Sequence, residues 1–431
     1  MSSRTALQLP ETLEGWLALL EARHGQAVRL GLERVAGVAA RIEVAPQCPV
    51  IVVGGTNGKG STCAMLESIL QAAGYRVGLY SSPHLLRYNE RVRIDGREAD
   101  DAALVRAMAQ VEFARQETPL TYFEHGTLAA LALFCEAAPD VLILEVGLGG
   151  RLDAVNVVDA DCAIVTSIAL DHMDFLGDDR EAIGFEKAGI FRAGRPAVCA
   201  DPEPPASLIA HAGEIGAQLL VSGRDFGFRG DRQQWAFWGR GGALRRGGLA
   251  FPSLRGANQL LNAAAVLAAL DELRDRLPVP MQAVREGLML VELAGRFQIL
   301  PGRPTVVLDV AHNVQAVGVL AENLSNMGYY PETWAVFSML SDKDVEGAVG
   351  RLAGRVDHWL LSGLEGPRGV PGAALEARVR AAVGAADVRV FDTPAEAFAV
   401  ARESAGENDR IVAFGSFLTV AAVLPLARAS R

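Results

Sequence analysis

The sequence predicts an α/β fold: a doubly wound, mostly parallel sheet domain with a small β-rich insertion, followed by a smaller Rossmann-like α/β domain. Three observations predict it. Compact β-branched runs such as "CPVIVVGG" and "DVLILEVG" alternate with segments of helical apolar spacing, the alternation that builds parallel sheets covered on both faces. Glycine-rich loops follow these runs, at the strand ends where such sheets bind ligands. A Gly- and Pro-bearing stretch, "AGRFQILPGRP", separates two sets of alternating elements, giving domains at 1–293 and 305–431 with 294–304 as linker.

Taken in order, residues 13–40 read as helix, because "LEGWLALLEARH" places apolar residues at helical spacing. "CPVIVVGG" (48–55) is a buried strand ended by glycines, "STCAMLESILQAAGY" (61–75) a helix, and "RVGLYSS" the next strand, so a β-α-β unit brackets the loop "GGTNGKGST". "LTYFEHGTLAALALFCEAA" reads mostly as helix, "DVLILEVG" as a strand running into "LGGRLDAVN", and "DCAIVTSIALDH" as a strand ending in polar residues. "REAIGFEKAGIF" is a helix and "RPAVCAD" a strand. Residues 219–252 interleave Arg, Gly and aromatics; the alternation in "QWAFW" predicts short hairpin strands rather than a nucleic-acid patch. A helix resumes in "LRGANQLLNAAAVLAAL". Beyond the linker, "TVVLDVAHN", "WAVFSML", "HWLLSGL", "VRVFD" and "RIVAFGS" are the strands of the second domain, with helices between them.

Bulk composition narrows the function classes. Half of the 431 residues are apolar and the net charge is −10, the wrong sign for a general nucleic-acid binder. The five cysteines are scattered without a C-x-x-C pair, which argues against a disulfide framework or a zinc site and fits a reducing cytosol. The first residues lack the order of a signal peptide, and no apolar run approaches the roughly 20 residues of a membrane span. The expectation is a soluble, cytoplasmic monomer.

The loop "VVGGTNGKGST" departs from the common phosphate-binding spacing G-x-x-x-x-G-K-[ST]: two residues separate Gly55 from Gly58-Lys59, and Gly60 intervenes before Ser61. A plain glycine turn is the simpler alternative. A lysine among the glycines, hydroxyls at the helix start and a buried strand before it point instead to nucleotide phosphates. Glu145, at a strand end, can hold Mg2+ as a Walker-B acid does, or cap the following turn. In "ALDHMDFLG", chemistry alone makes His172 a polar loop residue, since Mg2+ prefers oxygen. Lys187, on a helix face, reads as a solvated surface lysine. In "VVLDVAHN", Asp309 ends a strand and can take a ribose hydroxyl or adenine amine, while Asn313 suits a helix N-cap.

Taken together, these segments resemble the folylpolyglutamate synthase / dihydrofolate synthase family of the Mur ligase superfamily. The resemblance runs nearly end to end, through "LGLERV", "GGTNGKGST", "SSPHLLRYNERVRIDG", "LTYFEHGTLAALALF", "ILEVGLGGRLDAVNVVDADCAIVTSIALDH", "EKAGIF", "GRFQIL", "DVAHN", "SDKD", "LEGPRG" and "GSFLTVA". It implies a P-loop ATPase domain followed by a glutamate-ligase domain. The implied enzyme adds L-glutamate to 7,8-dihydropteroate and to reduced folates through an acyl phosphate. It implies that Thr56, Asn57, Gly58, Lys59, Gly60 and Ser61 cradle the phosphates, and that Asn258, Arg296 and Asp309 bind ATP from across the domain gap. Ser82 and Glu145 would hold one Mg2+; His172 and a carbamylated Lys187 would serve a second. Leu30, Gly31, Thr121, Tyr122, Phe123, Glu124, Leu152, Asp153 and Ala154 would line the pterin site, with Lys59, Lys187 and His312 as catalytic residues. Arg29 departs from the family, which commonly has an acid there; an arginine cannot accept hydrogen bonds from a pterin. A Mur-type ligase acting on a UDP-muramyl precursor is the nearest alternative, followed by a P-loop switch or motor and a non-catalytic folate binder.

Overall fold

Burial explains why the apolar runs became strands: every residue of Val50–Gly54 and Val141–Glu145 is buried, as expected where helices cover both faces. The computed structural model describes residues 9–23, 29–231, 233–256, 258–366, 368–384 and 386–429. They divide into two compact units. One comprises the described residues up to Ile168, Leu176–Ala250 and Asn262–Met289; the other comprises Ala169–Phe175, Phe251–Leu261 and the described residues from Leu290 on.

The larger unit holds an eight-stranded sheet of β1 (Val50–Gly54), β2 (Val77–Tyr80), β3 (Val92–Ile94), β4 (Arg97–Glu98), β5 (Val141–Glu145), β6 (Cys162–Val165), β7 (Pro196–Cys199) and β8 (Gln218–Val221), in the order β4-β3-β2-β5-β1-β6-β7-β8. All pairings are parallel except β2–β3 and β3–β4. β1 lies at a switch in strand order, with β5 on one side and β6 on the other, the position whose carboxyl end binds ligands in open α/β sheets.

The helix expected over 13–40 is instead two helices, α1 (Leu13–Arg23) and α2 (Glu33–Arg41); residues 24–28 lie outside the described residues. Gly31 has φ +135°, a conformation that cannot continue a helix. The remaining helices used below are α3 (Lys59–Ala72), α4 (Asp101–Arg115), α5 (Tyr122–Ala137), α6 (Met173–Leu176) and α7 (Arg180–Ala188). The segment read as hairpins gives its first strand, β8, to the main sheet; β9 (Gly227–Gly230), β10 (Trp235–Gly239) and β11 (Leu244–Leu249) form the small antiparallel sheet.

The second unit holds β12 (Gln298–Leu300), β13 (Thr305–Leu308), β14 (Thr333–Phe337), β15 (His358–Ser362), β16 (Asp387–Phe391) and β17 (Arg410–Phe414), in the order β12-β13-β17-β14-β15-β16. Only β12 runs antiparallel, against β13. Part of the stretch expected as linker is therefore a sheet edge. The core gathers Val307, Leu320, Phe337, Trp359 and Phe414, all buried.

Candidate active site

The glycine loop leaves β1 and enters α3. Gly58 is the N-cap residue of α3 with φ +94° and Lys59 is its first helical residue, so the loop turns directly onto a helix N-terminus, a ready anion site. A Cβ at Gly55, where φ is +137°, would lie 1.8 Å from Thr166 Oγ1; one at Gly58 would lie 2.7 Å from Asn262 Oδ1. Only glycine fits either place. The loop is braced by the segment after β6: Thr56 N donates to Ser167 O at 2.6 Å, Asn57 N to Ser167 Oγ at 3.1 Å, and Thr166 Oγ1 to Asn57 O at 2.7 Å. Lys59 Nζ folds back over the loop onto Gly55 O and Thr56 O, at 3.1 and 3.2 Å. Ser61 is buried in the first turn of α3, as Gly60 precedes it within the helix.

Glu145 is the last residue of β5 and is buried; the backbone N–H of Ser82, just past β2, donates to its Oε2 at 3.1 Å. A carboxylate beside a serine at adjacent strand ends suits a hard cation. Among the described residues no three His, Cys, Asp or Glu side chains gather as a self-sufficient cage; Mg2+ usually takes few carboxylates and completes its shell with phosphate and water oxygens. Lys187 is 3% exposed, not the solvated surface lysine that its helix position suggested. The glycine-rich loop after β5 packs on its helix: a Cβ at Gly150 would lie 2.8 Å from Glu186 O, and Arg151 pairs with Glu186 at 2.7 Å.

Three segments of the expected pterin site come together in this unit. The tip of the Phe123 ring packs against Gly147, where a Cβ would meet its Cζ at 2.5 Å; this joins the start of α5 to the loop that carries Leu152, Asp153 and Ala154. Thr121 caps α5, accepting from Glu124 N, while Glu124 Oε2 accepts from Thr121 N at 2.7 Å. Glu124 Oε1 accepts from Arg34 at 2.6 Å, and Arg34 also holds Arg29 O at 3.0 Å. The arginine thereby ties the Arg29–Gly31 segment, with Leu30, to Thr121–Glu124. Buried Asp153 accepts from Leu148 N and Val155 N at 2.8 and 3.1 Å. Burial outweighs those bonds and pushes its carboxyl up to about 6.

In the second unit, Asp309 follows β13 and accepts from Phe297 N and Ala311 N at 3.0 and 2.8 Å. Its surroundings push its carboxyl up to about 6 by burial, against those bonds and the Arg296 charge. Arg296 lies over the Phe417 ring at 5.0 Å. Asn258 opens the helix Asn258–Glu272, and its Oδ1 would lie 2.8 Å from a Cβ at Gly256. Asn313 is the N-cap of the helix Val314–Ser325, as its sequence position allowed. The segment with His172 belongs to this unit. Asp171 Oδ1 accepts from Lys343 Nζ at 2.5 Å, Asn313 Nδ2 reaches its Oδ2 at 3.2 Å, and His312 Nε2 lies 3.6 Å from that oxygen. Burial would raise the Asp171 carboxyl, but His312, Lys343 and His172 hold it well below the usual carboxylate range. His172 itself has φ +52°, an unusual conformation for a non-glycine residue.

Two family models match the chain: one described as "Mur ligase middle domain" matches residues 53–225, and one described as "Mur ligase, glutamate ligase domain" matches residues 295–417. The chain is 46% identical over 425 residues to the dihydrofolate synthase/folylpolyglutamate synthase of Escherichia coli K12, covering 98% of this chain and 97% of that protein. It belongs to the dihydrofolate synthase/folylpolyglutamate synthase family. The Haemophilus influenzae member is 41% identical, covering 96% of this chain and 97% of its own. Among solved members, E. coli FolC in complex with DHPP and ADP superposes with TM-score 0.92 at 46% identity, covering 97% of this chain and 98% of that one. A bifunctional folylpolyglutamate synthase/dihydrofolate synthase with Mn, AMPPNP and L-glutamate bound gives 0.90 at 45% identity, covering 98% and 100%.

Against this family frame, several residues escaped the sequence reading. Thr166 and Ser167 brace the glycine loop, yet hydroxyls in "TSIALDH" carry no distinctive local pattern. Lys343, in the family segment "SDKD", meets an aspartate 172 positions away, a pairing that no local signal reveals.

Proposed function

We propose that this protein is an ATP-dependent amide ligase that joins L-glutamate to 7,8-dihydropteroate, giving dihydrofolate, and to reduced folates, giving folylpolyglutamates. The observation that carries the reading is the Gly55–Ser61 loop at the switch point of the sheet, braced by Thr166 and Ser167, in a chain matching such synthases nearly end to end. The γ-phosphoryl of ATP moves to an acceptor carboxylate oxygen as its bond to ADP breaks. The amine of glutamate attacks the acyl carbon, a tetrahedral intermediate forms and sheds a proton, and the C–O bond to phosphate breaks. Such chemistry needs charge neutralisation more than a nucleophilic side chain.

In this reading the backbone of Thr56–Ser61 cradles the phosphates and Lys59 swings from its carbonyls onto them. Ser82 and Glu145 hold one Mg2+; His172 and Lys187, carbamylated, hold a second. Bound there, the ions neutralise phosphate charge. The carbamate would turn buried Lys187 into an oxygen donor, which a hard cation prefers. Asn258, Arg296 and Asp309 bind ATP, and His312 serves the glutamate end. The ring of the acceptor lies among Leu30, Gly31, Thr121–Glu124 and Leu152–Ala154. Residues 1–293 form the ATP- and pterin-binding domain and 305–431 the glutamate-ligase domain. The enzyme works as a cytoplasmic monomer, without nucleic-acid or membrane partners.

The test is phosphate release from ATP with glutamate plus dihydropteroate, tetrahydrofolate or a UDP-muramyl acceptor. Turnover with the first two, and only when acceptor and glutamate are both present, is expected. Turnover with the muramyl acceptor alone would overturn the reading, and hydrolysis without any acceptor would make the protein a switch or motor. Binding of folate without ATP use would make it a non-catalytic binder. Isotope-labelled bicarbonate, followed by carbon NMR on the native protein, checks the carbamate at Lys187 separately.

A further inference from the structure

We infer that Arg91 is the residue that recognises the acid end of the acceptor, pairing its guanidinium with the carboxylate of dihydropteroate. The inference rests on the folate-ligase reading and names the charge partner that the reading lacks. Arg91 closes the short 3-10 turn Tyr88–Arg91 and is 9% exposed. In the same unit Arg23 and Arg115 pair with Glu112, Arg34 with Glu124, Arg93 with Glu67 and Arg246 with Asp271. Arg91 is more buried than any of these, yet among the described residues no carboxylate pairs with it.

Its neighbours are neutral. Nε donates to Nδ1 of His84 at 2.9 Å, so that ring nitrogen accepts and carries no proton. The Tyr88 and Tyr122 rings lie 5.3 and 5.7 Å from its Cζ, and burial pushes the Tyr88 hydroxyl well up and the Tyr122 hydroxyl up to about 12. Cation–π contacts compensate a buried guanidinium only partly, and an unpaired buried charge is costly. A ligand carboxylate is the missing partner, and the planar fork of arginine matches it bidentately.

The position suits that role. Tyr122 belongs to the expected pterin-lining segment. On the other side, Arg91 O accepts from Ser81 N at 2.9 Å, next to Ser82 and its bond to Glu145. Arg91 therefore sits beside both the ring-binding residues and the residues proposed to hold the cation, where the acid end of the acceptor must come to be phosphorylated.

The test compares two ligands with ADP present: dihydropteroate, and 6-hydroxymethyl-7,8-dihydropterin, which has the ring but no carboxylate. For Arg91→Gln the expected result is a loss of dihydropteroate affinity of roughly 10- to 100-fold, with ring-only binding unchanged. Arg91→Lys should recover part of the loss. The ratio of the two affinities is insensitive to any general loss of folded protein. An equal loss for both ligands, or no loss for either, would overturn the assignment. If the wild-type protein bound neither ligand, the folate reading itself would fail, a result distinct from either of these.

Discussion

The glycine loop and the Asp171 cluster each set a lysine near an aspartate, Lys59 half-buried by Asp153 and Lys343 buried by Asp171, and they treat charge in opposite ways. Among the described residues Lys59 donates to the neutral carbonyls of Gly55 and Thr56, whereas Lys343 pairs with Asp171 and lies 3.8 Å from Asp342. Asp153 meets backbone N–H groups and is pushed up to about 6; Asp171 meets a lysine and two histidines and is held well below the usual range. Backbone dipoles fix where a side chain sits, but ionic partners fix its charge. The first region leaves charge free to answer a ligand. In the second, Lys343 and Asp171 neutralise each other, and that pair holds structure.

The largest expected effect tests the first half of that contrast. Lys59→Ala should lower turnover by about 10²–10³-fold, the usual cost of losing one electrostatic stabiliser, with urea unfolding close to wild type. A loss of stability as large as the loss of activity would erase the distinction between the two lysines. The second half is tested by Lys343→Met, which strands Asp171 and should cost about 3 kcal/mol in urea unfolding. A variant as stable as wild type would mean that the cluster is not the structural anchor described.

Titration sharpens the comparison further. A carboxyl raised to about 6 in the native state binds its proton more tightly folded than unfolded. Its contribution to stability is therefore fully present below the unfolded value near pH 4, and is lost as pH rises through about 6. Asp153→Asn should remove that slope from stability against pH. If ionised Asp153 accepts from the pterin, wild-type kcat/KM for dihydropteroate should show an acid limb near pH 6, about tenfold down at pH 5. That limb should vanish in the asparagine variant. Asp309, also raised to about 6, should give the corresponding limb in kcat/KM for ATP, and Asp309→Asn should remove that one instead. The smallest effect is a control distant in sequence from both regions. Thr393 caps the helix Pro394–Ser404 by accepting from Glu396 N at 3.2 Å; Thr393→Ala should cost about 1 kcal/mol with kinetic constants unchanged.

Some of this was legible before any coordinates. The alternation of β-branched runs and helical segments announced the parallel sheets, and the glycines of "GGTNGKGST" announced a tight turn from strand into helix. The break at Gly31 was misread because "LEGWLALLEARH" set a helical period that the following residues did not contradict. β8 was misread because a strand that extends a main sheet and one that starts a hairpin have the same local pattern. Lys187 was misread for a related reason: its burial depends on the helix packing, which no window of sequence around it contains.

The sequence alone determined the alternation of strands and helices, the glycine turn from strand into helix and the family, because these depend on local pattern and on ordered matches along the chain. Tertiary structure alone decided which charges are paired. The bond from Lys343 to Asp171, the bracing of Asn57 by Thr166 and Ser167, and the missing carboxylate beside Arg91 all depend on residues far apart in the chain. Whether a buried charge is neutralised follows from the space around it, and that space exists only after the sheets have formed.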